Sequence, residues 1–332
     1  MNSNGEHMRR LLTRSITALL AAAAASTAIG QQFPSRPLSI VIPYSVGSST
    51  DILGRLLSAP LAAQLGQPVV VENRTGGGGS IGMGYVARSQ PDGHVMVITS
   101  ASAGPVNRAL LKNLSFDPVR DLSLVYLTNM STNALIVQGK HSVRNAQELA
   151  ALARKAAQPL RYFSPGNGTS QHLSAVLFGL LAQAKVEHVP FRGPAEGLQS
   201  LMGGDVTFGF ASLSSIVGLM KDGRVRALGL TGRARSRVML DVPTLAEVGY
   251  PRFAEVLIWT GIAVPRSTPI STQQALHAAL AAVLAQPAMK EKFEQIGIEM
   301  VPPMSRAELD AFSEQQLAVW EALVKESGAT VD

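Results

Sequence analysis

Ser39-Ile-Val-Ile-Pro-Tyr-Ser-Val-Gly-Ser-Ser-Thr-Asp51 is the stretch whose reading decides the architecture. The apolar run from Leu38 to Ile42 predicts a buried strand. Pro43 ends it, Gly47 frees the backbone, and Ser48, Ser49 and Thr50 are hydroxyl residues suited to capping a following helix. Such a helix start presents unpaired N–H groups and the positive end of a dipole, which favour a carboxylate or phosphate. Far along the chain, Tyr162-Phe-Ser-Pro-Gly-Asn-Gly-Thr-Ser-Gln-His172 has the same make. It also leaves a short strand through glycine and hydroxyl residues into an apolar helix. Two such loops suggest two lobes closing on one small anion.

Outward from these loops, β-branched runs alternate with Ala/Leu-rich segments, the pattern of an α/β fold with parallel sheets. A helix is expected over 50–65, with Ile52, Leu53, Leu56, Leu57 and Leu61 at helical spacing and Gly66 as its C-terminal glycine. Strands over 69–71 and 95–99 flank a helix near 81–88, and the latter strand opens a small-residue loop, Ser100 to Gly104. Extended runs 122–128 and 134–137, joined through polar Asn129 to Asn133, read as the crossing into a second lobe. That lobe repeats the alternation: strands over 161–163, 187–189, 206–210 and 226–230 alternate with helices over 146–157, 169–181, 195–202 and 214–220. The run 256–264 reads as the return, and helices over 272–284 and 306–326 complete the first lobe. The domain reading is therefore a first lobe of 31–131 plus 254–332 and a second of 132–253. Each lobe is expected to be a mostly parallel sheet flanked by helices.

The 332-residue chain is long enough for two domains. Hydrophobic content of 46% against 16% charged residues indicates a globular protein. The net charge of +6 contains no long Lys/Arg block, and aromatic content is 5%, which argues against a nucleic-acid surface. Zero cysteines exclude disulfides, thiol catalysis and Cys-ligated metal. Residues 1–30 are read as a cleaved signal peptide: Arg9, Arg10 and Arg14 precede an apolar stretch, Ile16 to Ala25, and small residues follow. A periplasmic location is expected.

Ile40–Asp51, Gly66-Gln-Pro-Val-Val-Val-Glu-Asn-Arg-Thr-Gly-Gly-Gly-Gly79, Pro91-Asp-Gly93, Phe116-Asp-Pro118, Ser164–His172, Val189-Pro-Phe-Arg-Gly193 and Asp241-Val-Pro-Thr244 occur in that order. Together they closely resemble the Bug family, the periplasmic solute-binding receptors of tripartite tricarboxylate transporters. The resemblance implies a two-lobed periplasmic binding protein of type II-like "Venus flytrap" form, with no catalysis and no cofactor. It implies a small organic acid as ligand, and as partner either the membrane permease subunits or the periplasmic domain of a sensor kinase; a monomer is expected. By position, the first-lobe pincer corresponds to Tyr44, Ser45, Val46, Gly47, Ser48, Ser49 and Thr50. The second-lobe pincer corresponds to Ser164, Pro165, Gly166, Asn167, Gly168, Thr169 and His172. Ser100 and Ser102 match a third cleft loop, and Arg192 a fourth. Ala211 and Ser212 match a segment where family members often carry an Asp that reads a ligand amine or hydroxyl. Three departures stand out: Ser45-Val46-Gly47 replaces a usual Pro-Gly-Gly, Gly104 stands near a frequent cleft His, and Ala211 replaces that Asp. Losing the acid argues against an amino-acid-like ligand and toward a carboxylate without an amine.

Other motifs are weaker. Gly77-Gly-Gly-Ser-Ile-Gly82 satisfies G-x-G-x-x-G, but it follows its strand at a distance and lacks the later acid. Gly78 to Gly82 also fits the hydrolase elbow G-x-S-x-G, making a secreted serine hydrolase using Ser80 an alternative. The strand ends too early for a sharp elbow there, and His94, His141, His172, His188 and His277 have no telling context. No ligand-spaced histidines or carboxylate cluster suggests a metal. Asp51 is expected to brace its loop, since it would repel an anion.

Overall fold

The computed structural model describes residues 33–295 and 298–327; the signal peptide expected over 1–30 lies outside the described residues. β1 (Leu38–Ile42) is flanked in parallel by β2 (Val69–Asn73) and β3 (Val95–Ser100). Ile40, Val41 and Ile42 are fully buried, as a strand covered by helices on both faces requires. Between β1 and β2 runs α1 (Ser49–Leu65), capped by Ser48 and ended by Gly66, whose φ of 69° is the left-handed conformation that glycine adopts without strain. Leu53, Leu57 and Leu61, one helical repeat apart, are its buried face, each contributing about 1.5–3 kcal/mol by leaving water. Ile52, expected on that stripe, is 42% exposed: its position falls a quarter turn outside the contact.

α2 (Ser80–Ala87) precedes β3. The Ser100–Gly104 loop turns out to be helical: 102–106 form a wide π-type turn that continues into α3 (Asn107–Leu110). β4 (Leu122–Ser131) then leads to β5 (Asn133–Gln138), so Thr132 alone separates the strands where a polar connection over 129–133 was expected. The second lobe continues with α4 (Ala146–Lys155), β6 (Leu160–Ser164), α5 (Ser170–Leu181), β7 (Val186–Pro190), α6 (Pro194–Gly203), β8 (Phe208–Ser212), α7 (Leu213–Lys221) and β9 (Val225–Leu230). After the return come β10 (Ile258–Pro265), α8 (Ile270–Leu284), α9 (Pro287–Gln295), β11 (Glu299–Met300) and α10 (Arg306–Ser327).

The strands form two sheets, ordered β11-β4-β10-β3-β1-β2 and β7-β6-β8-β5-β9. They are mixed rather than mostly parallel. β10 runs antiparallel to both β3 and β4, and β5 antiparallel to both β8 and β9, because the strands that cross between lobes enter each sheet against its βαβ units. The first sheet packs its β1 face on α1 and α8 through Leu276, Leu280 and Val283. The second places Phe163 and Ile136 against α6 and α7 on one face, and Phe208 and Phe210 against Phe178 and Tyr250 on the other. α10 belongs to both halves: it packs on β4, α3 and α5. Leu309, Phe312 and Trp320 join it to a core shared with Leu127, Phe208 and Phe178.

Candidate functional site

The carboxyl ends of β1, β3 and β6 carry the loops singled out from the sequence, where open α/β sheets place ligands. At the first, Gly47 takes φ 82°, and its N–H donates to Asp51 Oδ2 at 2.9 Å. Asp51 also accepts from Asn73 Nδ2 (2.9 Å) and Arg55 Nε (3.0 Å), while Asn73 Nδ2 reaches the Tyr44 carbonyl at 3.1 Å. Burial would raise the Asp51 pKa, but the hydrogen bonds from Arg55, Gly47 and Asn73, with the charge of Arg55, hold it at about 2. Asp51 is thus the internal brace of the loop. The Ser48 hydroxyl accepts the Asp51 N–H (3.2 Å) and its carbonyl accepts the Ile52 N–H, which leaves the N–H groups of Ser49 and Thr50 for an incoming acceptor.

The second-lobe loop is built alike. Thr169 caps α5 by accepting the His172 N–H, and its hydroxyl donates to the Gly166 carbonyl at 2.8 Å. Gly166 and Gly168 take φ of 135° and 72°, and the Gly168 N–H donates to His172 Nδ1 at 3.1 Å. Ser164 Oγ lies 2.7 Å from His188 Nε2 and accepts the Gly166 N–H at 3.1 Å.

The two loops meet through the third. The Tyr44 hydroxyl lies 3.4 Å from Ser100 Oγ, Ser100 Oγ accepts the Ala103 N–H, and the Ser170 N–H crosses between lobes to Ser102 Oγ at 3.2 Å. Burial raises the Tyr44 pKa, with Ser100 and Ser102 opposing it, so the phenol stays a neutral donor. Of the residues predicted, Tyr44, Ser100, Ser102, Ser164, Gly166, Gly168, Thr169 and His172 belong to this connected set. Ser45, Val46 and Gly47 form its exposed rim, Val46 being 71% exposed. Pro165 and Asn167 complete the second turn, where Asn167 is exposed. Ser212 pairs in register with Asn133, and buried Ala211 with Ala134. Arg192 is not drawn in: its side chain is exposed and its backbone N–H caps toward Glu196.

Sequence reasoning missed Asn133, whose Nδ2 donates to Ser170 Oγ at 3.3 Å, while its buried Oδ1 has no partner. It also missed Ser170 and His188, which acquire their places only through strand register and the crossing. Ser80 opens α2 after the glycine turn Gly77–Gly79 instead of a strand, so it is no nucleophile elbow. Among the described residues no helix is long and apolar enough to cross a membrane, and no acidic or histidine group could hold a metal ion.

The chain resembles known proteins along most of its length. Residues 53–329 match the model of the tripartite tricarboxylate transporter family receptor. A protein encoded in the tcbD-tcbE intergenic region of Pseudomonas sp. strain P51 is 34% identical, the match covering 89% of this chain and 87% of that one. Two solved structures from Rhodopseudomonas palustris superimpose over their full lengths. Rpa4515 with adipate has a TM-score of 0.80 and 30% identity over 90% of this chain; MatC with bound malate has 0.79 and 28% over 88%.

Proposed function

The chain belongs to the tripartite tricarboxylate transporter receptor family, and we propose that it captures a small carboxylate between its lobes and hands it unchanged to the membrane permease subunits of such a transporter. In this reading the first lobe comprises 31–131 and 254–332, the second 132–253, and the protein works in the periplasm. The observation that carries it is the third loop, which reaches Tyr44 of the first pincer through Ser100 and the start of α5 through Ser102. α1 offers the N–H groups of Ser49 and Thr50, and α5 offers that of Gln171 beside the Ser170 N–H already held by Ser102, with the hydroxyls of Tyr44, Ser100, Ser102 and Thr169 nearby. Each charge-assisted hydrogen bond to a carboxylate contributes about 1.5–3 kcal/mol. Contacts from both lobes exist together only when they approach, so the ligand favours the closed arrangement.

The family and fold are those of solute-binding receptors, not enzymes, and relatives hold malate and adipate. With Ala211 where an acid would meet an ammonium, this chain suits mono- or dicarboxylates that lack an amine. Thermal unfolding of the purified protein against a panel of organic acids, malate and adipate included, tests the reading. A rise in midpoint with at least one amine-free acid is expected, and no rise across the panel refutes it.

A further inference from the structure

Under the second-lobe loop lies a column of rings that solute capture does not by itself explain. Tyr162 on β6 and His188 on β7 are register partners, so their side chains share one face of the sheet. Their rings stack at 5.0 Å, and His172 of α5 stacks on His188 at 4.1 Å with 15° between planes. Both imidazoles turn a ring nitrogen to the loop. His172 Nδ1 accepts the Gly168 N–H at 3.1 Å, which places the ring proton on Nε2. His188 Nε2 lies 2.7 Å from the Ser164 hydroxyl, which in turn accepts the Gly166 N–H.

We propose that His172 and His188 are positioning residues for the ligand, a stacked pair of neutral imidazoles that holds the Ser164–Thr169 loop in its ligand-receiving shape. The proposal rests on the receptor reading above and assigns neither ring a direct contact with the ligand. Two glycines at positive φ make the 164–169 turn intrinsically loose, because glycine enters such conformations without preference for any one of them. Backbone N–H groups can bind an anion strongly only if they already point at it. The imidazoles supply that order at both ends of the turn: His188 fixes its first residue, and His172 its next-to-last. The geometry demands a neutral His172. A proton on His172 Nδ1 would remove the acceptor for Gly168 and set a cation 4.1 Å from its neighbour's ring.

The surroundings enforce neutrality. Burial lowers both pKa values to about 4, and His188 adds a smaller lowering at His172. The titratable group facing them from β6 is Tyr162, whose phenol burial raises well above its usual range. From β8 comes Phe208, tilted against Tyr162 at 5.5 Å, and α10, which packs on α5, buries Trp320 and Leu323. Among the described residues no carboxylate forms an ion pair with either ring.

Two pairs of variants test the proposal. His172→Phe keeps the stack and removes the acceptor, whereas His172→Asn keeps an acceptor at the position of Nδ1; His188→Phe removes the polar atom beside the Ser164 hydroxyl, and His188→Gln keeps one there. Two quantities are measured at pH 7.5: hydrogen exchange of the 164–169 amides without ligand, and affinity for malate and adipate by calorimetry. Thermal unfolding verifies that each variant is folded. Each Phe variant is expected to speed loop exchange about tenfold and weaken acid binding about tenfold, with the Asn and Gln variants within about twofold of wild type. Phe variants that exchange and bind like wild type, or Asn and Gln variants as weak as Phe, overturn it. If no acid binds wild type, the receptor reading fails, and the exchange contrast still decides whether the imidazoles hold the loop.

Discussion

Replacing Asp51 with Asn is the sharpest perturbation of the first-lobe loop, because one buried carboxylate organises it. Asp51 is 2% exposed and receives hydrogen bonds from the Gly47 N–H, Asn73 Nδ2 and Arg55 Nε. An amide presents an NH2 group where one of these donors points, so at least one buried donor loses its acceptor and the remaining bonds lose their charge assistance. Hydrogen bonds to charged groups contribute about 1.5–3 kcal/mol, and a stranded buried donor costs about 1–3 kcal/mol. Half-exposed Arg55 adds little beyond this. Asp51→Asn should therefore destabilise the protein by about 2–3 kcal/mol. Urea unfolding should show a lower midpoint at unchanged slope. The affinity for whichever acid binds should fall about tenfold, since Asn73 and the Tyr44 carbonyl it holds are released together. The pH dependence has a definite sign. The Asp51 pKa is lowered from 3.8 to about 2, so its contribution is fully present above pH 3.8 and disappears as pH falls through 2. The gap between wild type and variant should narrow over that interval. A loss under about 0.5 kcal/mol at neutral pH, within the range of ordinary surface changes, would refute the bracing argument.

Thr169→Ala removes both the α5 cap and the bond to the Gly166 carbonyl; a stability loss of about 1 kcal/mol and roughly tenfold weaker acid binding are expected by urea unfolding and calorimetry. Gly209→Ala would set a Cβ 2.2 Å from the Phe163 ring, which Gly197 already confines from α6. A cost of about 1–3 kcal/mol is expected, with partial recovery when Phe163→Leu is added; equal stability of the single variant would contradict the packing. His172 and His188 both titrate near 4 instead of 6.5. Their contribution is complete above pH 6.5 and is lost as pH falls toward 4, so unfolding midpoints should decline across that window, less so in the double Phe variant.

Much of the fold could be read from hydrophobic runs and their punctuation. The Leu38–Ile42 strand, the helix ended by Gly66 and the Thr169 cap are all local signals, and local rules place them within a residue or two. Sheet direction was not legible. β10 and β5 run antiparallel to their neighbours because of where the chain crosses between lobes, and no residue in Ile258–Pro265 encodes that. The site divides the same way. Ser48, Ser100 and Thr169 lie in glycine- and hydroxyl-rich loops visible in the sequence. Asn133 and His188 lie in ordinary strands, and only register brings Asn133 beside Ser212 and His188 beside Tyr162. Arg192 shows the converse, a cation in a promising loop whose side chain faces solvent.

The position of β10 between β3 and β4 sets an order of assembly. The five strands of the second sheet lie within Asn133–Leu230, so that half closes from one continuous segment. The first half keeps two open edges until Ile258–Pro265 arrives to join them. During refolding the amides of the second sheet should therefore gain protection before those of β3 and β4.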